Sequence, residues 1–170
     1  KTFVVGNIGN SYTGEVLNTS NDSYTVAEIS SFQLETIHKF HPVVSAILNI
    51  TPDHLNRHHT MECYSKTKEN ISMNQTKDDV CVLNMEDEEL YRFGSECPAK
   101  VVWFSSKRKP EIGAYVQGDD IRYTDGTTDE LMLNVHDMNL LGTHNYENVC
   151  AAIAMTKAAG IPDDIIVQQV

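Results

Sequence analysis

Val43-Val44-Ser45-Ala46-Ile47-Leu48-Asn49-Ile50 runs without a break into Thr51-Pro52-Asp53-His54. Six of the first eight residues are apolar, with only Ser45 and Asn49 interrupting them, so this run is expected to be a strand covered on both faces, as strands of parallel sheets are. An earlier run, Tyr24 to Ile29, leads through Glu28-Ile29 into Ser30-Ser31-Phe32-Gln33-Leu34-Glu35. Each run carries a ligand-type side chain, Glu28 or His54, at or just past its carboxyl end, where open parallel α/β sheets bind their ligands. Further strands are expected at Thr2 to Val5, Asp79 to Asn84 and Lys100 to Phe104, alternating with helical patterns as in βαβ units. The expected fold is therefore α/β, a mostly parallel sheet flanked by helices. Between Ile112 and Val135 the pattern changes to short alternating segments around Gly118-Asp119-Asp120 and Asp125-Gly126, hairpin signals that predict a small antiparallel subsheet. A helix is expected to open near Asn145, to run through Tyr146, Val149, Cys150 and Ile153, and to stop at Gly160-Ile161-Pro162. Another is expected from Asp163 to Val170.

Composition narrows the class of function. With 170 residues, 41% of them hydrophobic, the chain can bury one good core, and one domain is expected. Thirteen Lys and Arg against 24 Asp and Glu give a formal net charge of -11, which repels phosphate backbones and anionic membrane surfaces and argues against a nucleic-acid partner. No apolar run approaches the roughly 20 residues of a membrane span, and no basic-then-apolar leader opens the sequence. Cys63, Cys81, Cys97 and Cys150 are scattered, without CxxC pairs. That usage fits a reducing compartment, so a cytoplasmic location is expected.

Several residues are candidates for chemistry, each with a plainer alternative. Gly6-Asn7-Ile8-Gly9-Asn10 follows the first strand, and its glycines would let backbone amides approach a phosphate or an anionic group, or simply make a strand-exit turn. Glu28, near the end of a mostly apolar strand, needs a cation or hydrogen-bond donors, or else reaches solvent. Ser30 with Gln33 fits a capping box that opens a helix. A helix N-terminus at that edge would also suit an anion. His54 and His58 have the i, i+4 spacing of zinc ligands, with Asp53 or His59 as a third, but no HExxH motif supports zinc. A single histidine on magnesium or phosphate, or a solvated loop histidine, are the other readings of His54. On the helix after Thr60, Met61, Tyr64, Lys68 and Ile71 share one stripe, which places Lys68 among apolar residues and Lys66 outside them. Lys68 is then either buried for a purpose or snorkelling outward. Asn145 and Asn148 lie three residues apart on one helix face, suited to an N-cap at Asn145 or to reading a purine edge.

Together Gly6 to Gly9, Glu28 to Glu35, Asn49 to Arg57, Tyr64 to Lys68 and Gly142 to Asn148 resemble, in order, the central domain of the Mur ligases, and within them the D-glutamate-adding branch. Glu28-Ile29-Ser30-Ser31-Phe32-Gln33-Leu34-Glu35 is the more specific segment; the Asp53-His54 segment is shared in form with folylpolyglutamate synthase. The resemblance implies an ATP-dependent amide-bond ligase of cytoplasmic peptidoglycan precursor synthesis. ATP would phosphorylate the carboxylate of UDP-N-acetylmuramoyl-L-alanine, and the amine of D-glutamate would attack the acyl phosphate. It implies magnesium at Glu28 and His54, carbamylation of Lys68, nucleotide contacts at Asn145 and Asn148, and Asn7 and Ser30 facing the UDP-sugar. Asn56 stands where the family commonly has Asp. The sequence contains no G-x-x-G-K-[ST] phosphate loop, and the family's carboxyl-terminal domain is not represented. The expectation is thus a partial central domain over 1–170, inactive alone. A folylpolyglutamate synthase-like ligase and a catalytically silent nucleotide-sugar binding module are the competing readings.

Overall fold

The computed structural model describes residues 1–138 and 142–168. They fall into two compact units, Lys1–His38 and Lys39–Val170. In the first, strand β1 (Thr2–Gly6) pairs in parallel with β2 (Tyr24–Glu28), in register from Thr2 opposite Tyr24 to Gly6 opposite Glu28. Period-two alternation is clear in β1, where Phe3 and Val5 are buried while Val4 faces outward, as a pleated strand dictates. The short helix α1 (Tyr12–Glu15) connects the strands, capped by the Ser11 hydroxyl, which accepts from the Gly14 N–H. Helix α2 (Ser31–Leu34) follows β2 and buries Ser31 and Leu34.

The second unit is built on a six-stranded sheet of order β3-β4-β5-β6-β7-β8. Its strands are β3 (Val44–Ile47), β4 (Val80–Asn84), β5 (Lys100–Ser105), β6 (Gly113–Gln117), β7 (Asp120–Thr124) and β8 (Asp129–Asn134). Its helices are α3 (Leu55–His58), α4 (Met61–Glu69), α5 (Glu88–Gly94), α6 (Thr143–Ala158) and α7 (Asp163–Gln168). β3 through β6 pair in parallel, and β6, β7 and β8 are antiparallel. Consecutive residues of β4 show why the sheet needs helices on both sides. Val82 packs into a cluster with Val102, Phe104 and the α6 residues Val149, Cys150 and Ile153, whereas Cys81 and Leu83 pack with Tyr64 of α4 and Leu90 and Phe93 of α5. Each buried Val, Leu, Ile or Phe side chain among these contributes about 1.5–3 kcal/mol by leaving water.

The expected two-sided burial is realised at β4, not at the run that suggested it. β3 is an edge strand of this sheet, its burial alternates, and it ends at Ile47 rather than Ile50. The hairpin signals are correct: Gln117 pairs with Asp120 across Gly118-Asp119. The antiparallel strands extend the main sheet, because β6 also pairs with β5. α6 begins two residues before Asn145, and the last expected helix is described as far as Gln168, residues 169 and 170 lying outside the described residues. None of the described helices is long and apolar enough to cross a membrane.

Candidate functional site

In the first unit the chain turns sharply after β1 and holds Glu28 by both its backbone and its side chain. Gly6 has φ +117°, and a Cβ there would lie 2.2 Å from the Glu28 carbonyl oxygen, so glycine is required for the two strand ends to meet. The Asn7 N–H donates to the Glu28 carbonyl at 2.7 Å, and the Asn7 carboxamide donates to Glu28 Oε1 at 3.2 Å. A donor on a carboxylate makes a charge-assisted bond, which orients an exposed Glu28 at the carboxyl end of β2. The turn closes where the Gly6 N–H donates to the Asn10 carbonyl at 2.9 Å. Ser30 forms the capping box read from the sequence: its N–H donates to Gln33 Oε1 at 2.8 Å, and its Oγ accepts from the Gln33 N–H. Asn7, Glu28 and Ser30 therefore lie within one unit, and His54, Lys68, Asn145 and Asn148 within the other.

In the second unit, side chains from three elements hold the exit of β3. The Leu48 carbonyl accepts from Asn84 Nδ2 at 3.0 Å, the Ile50 N–H donates to Asp87 Oδ2 at 2.7 Å, and the Asn49 carbonyl accepts from Lys68 Nζ at 3.4 Å. These bonds replace the ladder that ends at Ile47, which is why the apolar run outlasts the strand. Beyond them His54, at φ 52°, caps the single-turn α3, and His59, at φ 66°, closes it. Left-handed backbone at a non-glycine residue costs about 1–3 kcal/mol and clusters at functional sites. The Asp53 carboxylate accepts from the His54 N–H at 2.8 Å and lies 3.3 Å from His54 Nε2.

Helix α4 carries the stripe expected of it. Tyr64 is buried, Met61, Lys68 and Ile71 are half-buried, and Lys66 is exposed. The Lys68 ammonium sits 5.3 Å from the centre of the Tyr64 ring. His58 is buried and packs on that same ring, centroids 5.3 Å apart, while the His54 side chain is 47% exposed, so the zinc spacing places the two histidines in different surroundings. Among the described residues no group of three or more His, Cys, Asp or Glu side chains is arranged to hold a metal ion.

At the start of α6 the N-cap is Gly142, not Asn145. Asn145 is the third helical residue, its N–H donating to the Gly142 carbonyl at 2.9 Å; Asn148 is exposed one turn later. Glu147 on the same turn accepts from the Ser106 hydroxyl at 2.5 Å, tying the helix to the segment after β5. Neither this tie nor the Asp87 contact was singled out from the sequence, although Asp87-Glu88-Glu89 is a helix-start signal that marks Asp87 as a cap.

Magnesium is a hard cation that takes carboxylate and phosphate oxygens. Glu28 fits: its carboxylate is exposed at a strand end and steadied by Asn7. His54 is a less usual magnesium ligand because imidazole suits softer ions, but its ring is accessible and its backbone is fixed. Two open recesses among the described residues lie elsewhere. One of about 330 Å³ lies beside β8 and α7 and another of about 200 Å³ beside α5; neither is lined by the residues singled out above.

Comparison with known proteins places these elements in a wider setting. The family model described as "Mur ligase middle domain" matches residues 6–156. The chain is 81% identical over 170 residues to the UDP-N-acetylmuramoylalanine--D-glutamate ligase of Lachnospira eligens, covering 100% of this chain and 38% of that protein. It is 54% identical over 164 residues to the ligase of the same name from Lachnoclostridium phytofermentans, covering 96% of this chain and 36% of that protein. The chain thus spans little more than a third of the length of these relatives. Among solved structures, the UDP-N-acetylmuramate:L-alanyl-gamma-D-glutamyl-meso-diaminopimelate ligase of Neisseria meningitides superposes with a TM-score of 0.66 at 14% identity, over 98% of this chain and 64% of that one. The MurF ligase of Thermotoga maritima in complex with ADP gives 0.64 at 14% identity, over 98% of this chain and 41% of that one. At such identities the structures speak for the fold.

Proposed function

The chain belongs to the Mur ligase family, whose middle domain it matches, and from that premise we propose that it is part of a cytoplasmic ATP-dependent ligase that joins D-glutamate to UDP-N-acetylmuramoyl-L-alanine in peptidoglycan precursor synthesis. The carrying observation is the likeness to D-glutamate ligases along the whole chain. The proposal concerns a protein of the relatives' full length, within which residues 1–170 form part of the central domain.

In the proposed reaction the carboxylate of UDP-N-acetylmuramoyl-L-alanine takes the γ-phosphoryl group of ATP, the bond from that phosphorus to the bridging oxygen breaks, and ADP leaves. The neutral D-glutamate amine then attacks the acyl carbon, the new C–N bond forms, the C–O bond to phosphate breaks, and phosphate and the amine's proton leave. Catalysis of this kind rests on positioning and on offsetting charge. Magnesium, when bound, offsets the repulsion between the anionic reactants. In this reading Glu28 and His54 are magnesium-binding residues, and the Asn7 carboxamide, which donates to Glu28 Oε1, aims the Glu28 carboxylate. Ser30 is proposed on the UDP-sugar side and Asn145 and Asn148 on the nucleotide side, where carboxamides offer both donors and acceptors.

Lys68 is proposed to be carbamylated. Its neutral amine attacks the carbon of carbon dioxide, a C–N bond forms as one C=O electron pair moves onto oxygen, and a nitrogen proton leaves to solvent. The half-buried position on the α4 stripe, with Nζ at the exit of β3, supports this role.

A substrate panel on the purified full-length protein tests the proposal. UDP-N-acetylmuramoyl-L-alanine with D-glutamate should be the productive pair. Faster turnover of a folate with L-glutamate would move the assignment to a folylpolyglutamate synthase-like ligase, and nucleotide-sugar binding without turnover of any pair would leave a silent binding module.

A further inference from the structure

We propose that Tyr64 is a positioning residue for Lys68, its ring holding the amine at the Asn49 carbonyl, with the buried His58 packed against that ring. The proposal rests on the reading of Lys68 given above for its functional meaning, but not for its geometry. Tyr64 precedes Lys68 by four residues, so the two side chains meet on one face of α4. The ring is 5% exposed and is packed in the cluster that contains Ile47, Ile50 and Leu83; it is a platform fixed by the sheet. His58, 3% exposed, lies with its ring centroid 5.3 Å from that of Tyr64.

Lys68 Nζ reaches the platform at 5.3 Å and the Asn49 carbonyl at 3.4 Å. The first distance is within cation–π range and the second is a hydrogen bond. A lysine stem has four flexible torsions, and two such restraints select the rotamer that points toward the exit of β3. An aromatic face attracts a cation and offers nothing comparable to an anion. Tyr64 therefore holds the ammonium at the Asn49 carbonyl, so that the amine is in place when it gives up its proton and carbon dioxide adds, and exerts less hold on the N-carboxylate once it has formed.

The test uses the full-length protein in bicarbonate-free buffer, with its lysines dimethylated by ¹³C-formaldehyde and cyanoborohydride. The Lys68 methyl signal is assigned by its loss in Lys68→Arg. Held over a ring, it should appear upfield of the exposed lysines, stay there in Tyr64→Phe and join them in Tyr64→Leu. A wild-type Lys68 signal among the exposed lysines overturns the proposal, even if Tyr64→Leu fails to fold.

In the ligase assay Tyr64→Leu should lose about tenfold or more in kcat, with the KM for ATP within about twofold of wild type, and Tyr64→Phe should keep most of the activity. A folded Tyr64→Leu with wild-type kcat also overturns it. Absence of ligase activity in the wild type would instead count against the functional reading and leave the methyl shift to decide the geometry.

Discussion

Asp87 joins the cap of one helix to the exit of a strand, and removing its carboxylate should show how much that junction contributes. Oδ1 accepts from the Glu89 and Leu90 N–H groups at 3.1 Å each, capping α5, and Oδ2 accepts from the Ile50 N–H at 2.7 Å. In Asp87→Ala the lost cap costs about 1 kcal/mol. The part-buried Ile50 N–H, left without that acceptor, costs about 1–3 kcal/mol more, so the total should be about 2–4 kcal/mol. Asp87→Asn separates the two contributions. Asparagine caps helices as well as aspartate does, but it has one acceptor oxygen, so only the Ile50 bond should be lost and the variant should lie about 1 kcal/mol above alanine in stability. Urea unfolding followed by the fluorescence of Trp103, on the strand beside β4, should show lower midpoints with unchanged slopes. The Ile50 amide should exchange faster in both variants. An alanine variant within about 0.5 kcal/mol of wild type, the scale of an unremarkable surface change, would refute the reasoning, as would an asparagine variant no better than alanine.

Gly6→Ala places a Cβ 2.2 Å from the Glu28 carbonyl oxygen at φ +117°; β1 and β2 should part at this end, with a backbone cost of about 1–3 kcal/mol and loss of exchange protection at the Asn7 amide. Asp79 titrates below the ordinary carboxylate range, held there first by the His41 ring 2.7 Å from Oδ2 and then by the Thr76 N–H. A depressed folded-state pKa contributes stability above the unfolded value of about 3.9 and loses it as pH falls through the folded one. Asp79→Asn should therefore flatten the acid limb of the stability curve below about pH 4. In the full-length protein ¹³C-bicarbonate should give a carbamate carbon signal that vanishes in Lys68→Ala; a signal that survives the substitution, or never appears in active enzyme, would return Lys68 to the plain snorkelling role.

Local pattern carried the strands, the hairpins, the Ser30 capping box and the position of Lys68 on its stripe, because all of these depend on residues within a turn or a few positions of one another. The same pattern overran the end of β3. Whether Leu48 to Ile50 continue a ladder is decided by Asn84, Asp87 and Lys68, residues 19 to 37 positions away, and periodicity says nothing about partners at that range. Asn145 was open to reading as a cap because asparagine is a good one, but Gly142 at φ 108° turns the chain three residues earlier. The ring of Tyr64 looked like ordinary apolar stripe. Its meeting with Lys68 is local to α4, but its contact with His58 depends on how α3 and α4 meet, at the left-handed turn of His59. The roles of Glu28, His54, Lys68, Asn7, Ser30, Asn145 and Asn148 came from resemblance, and geometry supports Glu28 and Lys68 most directly.

The proposed chemistry is tested most directly by the fate of one oxygen atom. UDP-N-acetylmuramoyl-L-alanine labelled with ¹⁸O in its carboxylate is incubated with the full-length protein, magnesium, ATP and D-glutamate, and the released phosphate is analysed by mass. Transfer through an acyl phosphate predicts one ¹⁸O atom in each phosphate formed. Product with unlabelled phosphate, or with the label in AMP, would contradict the account.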